Sequence, residues 1–298
     1  RYPDPKDLRH RAVAGSPVYG MTGVGPGMDT AASRLIIATV DKPDPRPVWV
    51  AAWGGAADLA QALWTIRETR SPEEVRRFVS KLRVYTISYQ DDAGPWAQAH
   101  FPELFWVTSV HAFTNYNLST WTGISAPQPG ADQAKVSREW LSRNIRSKGP
   151  LGALYPLPAY IMEGDTPSFL SLIRNGLNHS ERPDWGGWGG RYGKVSRGLG
   201  LWASSADAVK GVDGKTYMTP QATIWRWRDA FQNDFAARMH WTVTPDRNRA
   251  NHAPSVRLNA RDGTKPVEIE GCAGKSVTLT AHGSDDPDGD RLSFRWFS

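Results

Sequence analysis

The chain has 298 residues and a net charge of +6. Hydrophobic residues at 40% and charged residues at 22% describe a folding chain and exclude disorder. The single cysteine, Cys272, excludes a disulfide framework and a cysteine zinc site, and no run of about 18 apolar residues is present, so no membrane partner is expected.

The length suits one large domain or a domain with an appendage. Basic residues are spread along the chain, with no run of five, so no nucleic-acid partner is expected. Fourteen Trp stand out against the ordinary remainder. The chain opens at Arg1 without Met and stops at Ser298 inside an apolar run, which reads as a fragment cut at both ends.

In chain order, a Gly-rich loop from Tyr19 to Gly27 leads into a helix ending near Val40. Pro47–Trp53 is an apolar run of strand length, ended by Gly54 and Gly55. Leu59, Leu63 and Ile66 repeat at helical spacing through Ala57–Arg70. Ser71, Pro72 and Glu74 form a helix start with a capping box, and that helix runs to about Leu82. Arg83–Ser88 is a second strand, a short helix surrounds Trp96–His100, and Leu104–Thr108 is a third strand. Strands alternating with helices imply crossover units and a parallel sheet. Ligands of such sheets sit outside the carboxyl ends of the strands. That rule selects Gly54 and Gly55, then Gln90, Asp91 and Asp92, then the segment from His111 to Asn117, which includes Asn115.

Asp132–Arg146 reads as a helix with Val136, Trp140, Leu141 and Ile145 on one face. Ala159–Met162 reads as a short strand and Ser168–Arg174 as a helical turn. Residues 175–200 form a long Gly-rich and Trp-rich loop, and Thr223–Trp241 a final helix. From about residue 249 the pattern changes to linker, alternating strand (Ser276–Thr280) and an acidic turn. The chain therefore divides at 1–248 and 249–298, and the second part is too short for a complete seven-stranded sandwich.

The pair Asp91–Asp92 and the pair Glu163–Asp165 each have two readings. Two carboxylates in one crevice bind Ca²⁺ or divide acid and base roles in glycosidic cleavage; alternatively each caps the helix that follows. Trp185 and Trp188, beside Arg191, sit in a Gly-rich loop. Their indoles either stack on sugar rings or fold back as a lid over the core. Tyr19 and Met21 belong to a loop that lacks P-loop spacing and serves as a site wall. The aspartates at 285, 286, 288 and 290 read as a turn, with Ca²⁺ as the other reading.

These stretches, Trp49–Gly55 with Leu59–Leu63, Ser80–Val84, Gln90–Asp92, Tyr160–Phe169 and Trp185–Tyr192, resemble the nucleoside-hydrolase-like domain of the Sde182-type cellulose-binding proteins. The tail resembles that family's C-terminal Ig-like domain. The resemblance implies an α/β fold, a nucleoside-hydrolase-like parallel sheet with flanking helices, followed by a truncated all-β Ig-like segment. It also implies a secreted or periplasmic setting and a link to plant polysaccharide. Active relatives hold Ca²⁺ with an Asp-rich motif at the end of a first strand, which here would lie before Arg1. Ca²⁺ is thus implied for the full-length protein, with Asp165 as a ligand. The Gly54–Gly55 segment resembles the nucleoside hydrolases' Gly-Pro-Leu-Thr-Asn segment without its Thr and Asn.

Two functions follow. One is glycosidic cleavage, with Asp92, Glu163 and Asp165 catalytic and Tyr19, Met21, Gly54, Gly55, Gln90, Asp91, Asn115, Trp185, Trp188 and Arg191 contacting a carbohydrate or nucleoside-like molecule. The other is non-catalytic polysaccharide binding through exposed Trp, in which loss of Trp185 or Trp188 abolishes retention and loss of Glu163 does not. A structural module with capping acids and core Trp is the third, plain reading.

Overall fold

The three apolar runs of the N-terminal half become strands β1 (Val48–Ala52), β2 (Leu82–Thr86) and β3 (Phe105–Thr108). They pair in parallel, Val48 against Leu82 and Arg83 against Phe105. The structure is a computed structural model and describes residues 4–110 and 115–296. Two later strands complete the sheet: β5 (Leu201–Ser204) joins β3 in parallel, and β4 (Tyr192–Lys194) lies antiparallel on β5. The order is β1-β2-β3-β5-β4, with β1 at one edge.

After α1 (Pro5–Arg9), the helices α2 (Ala31–Val40), α3 (Ala57–Thr69), α4 (Pro72–Lys81) and α5 (Ala93–His100) supply the connections. The capping box at α4 forms as its sequence predicts: Glu74 N–H donates to Ser71 Oγ, and Ser71 N–H donates to Glu74 Oε2 at 3.0 Å. Leu59, Leu63 and Ile66 of α3 pack with Phe78 and Val79 of α4 against Leu82, Val84 and Trp106. Burial of these side chains is the main stabilising term of the sheet. A smaller cluster holds Tyr85, Ile87, Val107, Tyr192 and Trp202, in which the Tyr85 and Tyr192 hydroxyls hydrogen-bond.

The chain divides into two units, Arg1–Thr122 with Tyr192–Ser205, and Gly123–Arg191 with Ala206–Ser298. The sheet and α1–α5 belong to the first. The second contains α6 (Arg138–Leu141), α7 (Gly149–Ala153), α8 (Pro167–Leu170), the hairpin β6 (Asp207–Lys210) and β7 (Thr216–Thr219), α9 (Ala222–Trp225) and α10 (Arg228–Trp241). Its core gathers Ile124, Leu170, Trp188, Ile224 and Phe231, with Leu141, Ile145 and Met239 in a second cluster.

Four local expectations change in this second unit. The helix expected over 132–146 is a 3-10 turn (Ala134–Val136), α6 and a π turn (Ser142–Arg146). It restarts because Ser137 is extended and its hydroxyl accepts Trp140 N–H at 3.1 Å. The strand expected at 159–162 is a series of bends. The chain is instead anchored just beyond, where Glu163 N–H donates to Ser125 Oγ at 3.0 Å. The turn expected at 168–174 contracts to α8, and the helix expected at 223–241 breaks into α9 and α10 at Trp227. There the buried Arg228 donates to the carbonyls of Asp132 at 2.6 Å and Gly123 at 2.8 Å.

Beyond residue 250 the described segment holds only the two-residue strands β8 (Arg257–Leu258) and β9 (Arg261–Asp262), and Ser276–Thr280 is not a strand. The acidic run is a turn: Asp286 Oδ1 accepts the N–H groups of Asp288 and Asp290, and Asp288 pairs with His252 at 2.9 Å. Among the described residues no helix is long and apolar enough to cross a membrane.

Candidate functional site

In the first unit, the carboxyl ends of β1 and β2 bring the N-terminal half of the candidate set together. Asp91 is 3% exposed. Its Oδ2 accepts Ala56 N–H at 2.8 Å, and its Oδ1 accepts Ala93 N–H at 3.1 Å. One carboxylate therefore ties the starts of α3 and α5. Gly55 lets it approach, since a Cβ there would lie 2.2 Å from Asp91 Oδ2. Burial raises the Asp91 carboxyl above its ordinary value, against the main-chain N–H groups of Ala56, Ala93 and Gly94, which lower it. Asp92 reaches the other way and accepts Met21 N–H at 2.8 Å.

Gln90 joins two aromatic residues. Tyr19 Oη donates to the Gln90 carbonyl at 3.0 Å, and Gln90 Nε2 donates to the Trp53 carbonyl at 3.3 Å. Tyr19 is 66% and Trp53 52% exposed. The sequence reading passed over Trp53, although its signal was available: it is the first residue past β1 on the carboxyl side, immediately before Gly54. Asn115 is exposed and precedes a 3-10 turn, and among the described residues nothing joins it to this group. His111–Thr114 lie outside the described residues.

Glu163, Asp165, Trp185, Trp188 and Arg191 belong to the second unit. Glu163 Oε2 accepts Thr166 N–H at 2.9 Å, so this acid, rather than Asp165, holds the N–H at the start of α8. Burial raises Glu163, with the Asp165 charge adding to it, and burial raises Asp165 as well. Trp188 is 8% exposed and packs in the core with Ile124, Leu170 and Phe231. It folds inward because Gly189 lies against α8, where a Cβ would meet Pro167 O at 2.6 Å. Trp188 is thus placed in the core of the second unit.

Trp185 is 45% exposed, with the Arg182 guanidinium 5.0 Å over its ring and the His179 ring at its edge. Arg191 is committed to Asp207 (Nε–Oδ1 2.6 Å), which also binds Arg226 at 3.0 Å. That ion pair and a hydrogen bond to the Ala206 carbonyl fix its guanidinium. Among the described residues no group of three or more His, Cys, Asp or Glu is placed to hold a metal ion.

The geometry can therefore offer flat aromatic faces and main-chain polar groups at the strand ends, and partly buried acids in the second unit. Comparison with known proteins agrees with the fold. The family described as cellulose-binding Sde182, nucleoside hydrolase-like domain, matches residues 1–192. A solved structure from Saccharophagus degradans, a nucleoside hydrolase-related protein associated with carbohydrate metabolism, is 38% identical with a TM-score of 0.76. The match covers 97% of this chain and 66% of that one, so the chain spans about two thirds of the relative's length. No curated protein matches the chain. Two thirds of the residues thus fall under one family description, and nearly all superpose on a nucleoside hydrolase-related structure; the chain belongs to the Sde182 family and has a nucleoside-hydrolase-like fold.

Proposed function

We propose that the chain binds carbohydrate without cleaving it, at the carboxyl ends of β1 and β2, with Trp53 and Tyr19 as the stacking faces. The observation that carries this reading is that two residues with exposed rings meet at Gln90, Tyr19 through its hydroxyl and Trp53 through its main-chain carbonyl. Sugar rings present apolar C–H faces that pack on aromatic rings, while nearby carbonyl and amide groups satisfy hydroxyls. The family description names cellulose binding, and the Saccharophagus degradans relative is associated with carbohydrate metabolism. A polymeric sugar partner fits a secreted or periplasmic setting. Asp91 and Asp92 act here as main-chain braces that hold the rings in place.

Affinity electrophoresis and calorimetry with cello-oligosaccharides test the proposal. Loss of one stacking ring should weaken binding by about tenfold or more, a loss of about 1.4 kcal/mol. Trp53→Ala and Tyr19→Ala are expected to show this, and Trp185→Ala is expected to retain most binding. Unchanged retention in a Trp53→Ala/Tyr19→Ala double variant would overturn it.

A second reading, hydrolysis, draws on the two carboxyls of Glu163 and Asp165 standing two residues apart, both raised by burial in the direction a general acid needs. That reading expects cleavage of aryl glycosides or nucleosides that disappears in Glu163→Gln.

A further inference from the structure

The second unit contains a cavity that the strand-end site does not use. Its volume is about 270 Å³, just under the roughly 300–1,000 Å³ of drug-sized ligand pockets, so it suits a body of about one ring. The rings of Tyr155, Phe169, Phe231 and Phe235 line it, and Tyr155 and Phe235 stand 5.6 Å apart. Glu163 stands in the same wall.

The charges at this cavity do not balance locally. Asp234 and Arg238 also line it, but they neutralise each other, Arg238 Nε lying 2.6 Å from Asp234 Oδ2. Glu163 has no such partner. Its carboxyl accepts hydrogen bonds from Thr166 and the Asp165 main chain, but among the described residues no Lys, Arg or His is paired with it. A buried carboxylate without a counter-ion is costly, and burial accordingly raises this one, with the charge of Asp165 adding to the effect. Tyr155, pushed up to about 12 by burial and then by Glu163, stays a neutral phenol. The lining is therefore acidic in a chain whose net charge is +6.

A cation from solution would supply the missing counter-ion. Aromatic rings attract cations through their negative faces, and more strongly once water is excluded. We infer that this cavity binds a small organic cation, an ammonium carried on a ring-sized skeleton, with Glu163 taking the ammonium and the Tyr155, Phe169, Phe231 and Phe235 rings enclosing the body. An arylalkylamine and an amino sugar share this chemistry.

Calorimetric titration of the whole chain tests it with two matched pairs: phenethylammonium against 2-phenylethanol, and glucosamine against glucose. At least one ammonium probe is expected to bind about tenfold or more tightly than its neutral counterpart. The tighter of the two ammonium probes identifies the source. Glu163→Gln keeps an acceptor for Thr166 N–H and should abolish the preference, while Phe235→Leu should weaken the ammonium probe without abolishing it. Binding near the ordinary carboxylate pKa should release protons, seen as a dependence of the heat on buffer ionisation. Trp53→Ala should leave ammonium affinity unchanged, which separates this site from the strand-end site. Equal affinity within both pairs, a preference that survives Glu163→Gln, or no binding of either ammonium at millimolar concentration would each overturn the inference.

Discussion

Replacing Gly55 with Ala should damage the strand-end site by displacing a carboxylate that it never touches covalently. The new Cβ would lie 2.2 Å from Asp91 Oδ2 and 3.0 Å from Cγ. Backbone strain is not the cause, because Gly55 is not among the glycines with positive φ. The carboxylate is the tip of a short side chain and could swing aside, but only by releasing Ala56 N–H, now bound at 2.8 Å. Ala56 is 6% exposed, so water does not readily replace that bond. A hydrogen bond to an ionised group contributes about 1.5–3 kcal/mol, and an abandoned buried donor costs the desolvation of that group.

The expected loss is therefore about 2–4 kcal/mol, rising if the bond to Ala93 also breaks. In a thermal melt about 1 kcal/mol corresponds to roughly 2–4 °C at this size, so the midpoint should fall by about 5–15 °C. Gly54→Ala is the internal control. It lies in the same loop, but nothing stands within 4 Å of its added Cβ, and its effect should stay within about 0.5 kcal/mol. Urea unfolding of both variants and of Gly55→Ala in an Asp91→Ala background completes the cycle. If Gly55→Ala is as mild as Gly54→Ala, or costs as much without Asp91 as with it, the bracing argument is wrong.

Three further outcomes follow from the same geometry. Trp188→Ala should cost about 3–5 kcal/mol, as core Trp truncations do, while Trp185→Ala, 45% exposed, should cost under about 1 kcal/mol; equal effects would contradict the buried placement. Asp207→Ala leaves Arg191 and Arg226 without their shared carboxylate, and a drop in urea midpoint should be partly restored by Asp207→Asn, which keeps a hydrogen-bond acceptor. The raised carboxyls of Asp91, Glu163 and Asp165 bind protons more readily folded than unfolded, so their ionisation opposes folding; their combined contribution improves as pH falls from the raised values toward about 4, the ordinary carboxylate range. Asp41 and Asp184, lowered by hydrogen bonds from Arg70 and Arg182, act oppositely, and their contribution is lost only as pH falls below about 4. Urea midpoints measured between pH 4 and 7 should therefore differ least between pH values in Glu163→Gln, and an unchanged pH slope in that variant would refute the assignment.

Sequence reading succeeded where one short segment decides its own conformation. The Ser71–Glu74 capping box is closed by residues three apart, and the β1–β3 runs carry enough apolar residues to bury themselves. It failed where partners come from far along the chain. Nothing near Trp227 announces a helix break; the cause is Arg228 reaching carbonyls at Asp132 and Gly123, roughly 100 positions away. Likewise the segment at 159–162 has the composition of a strand, but among the described residues no strand pairs with it. Trp185 and Trp188 stand three residues apart in one Gly-rich loop, and composition alone could not decide which indole turns inward.

The acids illustrate the same division at the level of function. Carboxylates at strand ends draw the eye as catalysts, yet in the first unit both are bound to main-chain N–H groups, Asp91 to Ala56 and Ala93, Asp92 to Met21. Each is admitted by a glycine: Gly55 for Asp91, and for Asp92 Gly20, whose φ of +53° and 2.0 Å approach to Asp92 Oδ1 exclude a side chain. The two brackets fix the loop that carries Tyr19 and the turn that follows Trp53. Rings held by rigid backbone lose little entropy when a ligand stacks on them, so the carboxylates contribute to binding by pre-organising aromatic faces they do not themselves form. On this argument Asp92→Asn, which retains an acceptor for Met21 N–H, should preserve carbohydrate affinity within a few fold, whereas Asp92→Ala should weaken it together with the order of the Tyr19 loop. A catalytic Asp92 predicts no such difference: Asn and Ala would both abolish turnover.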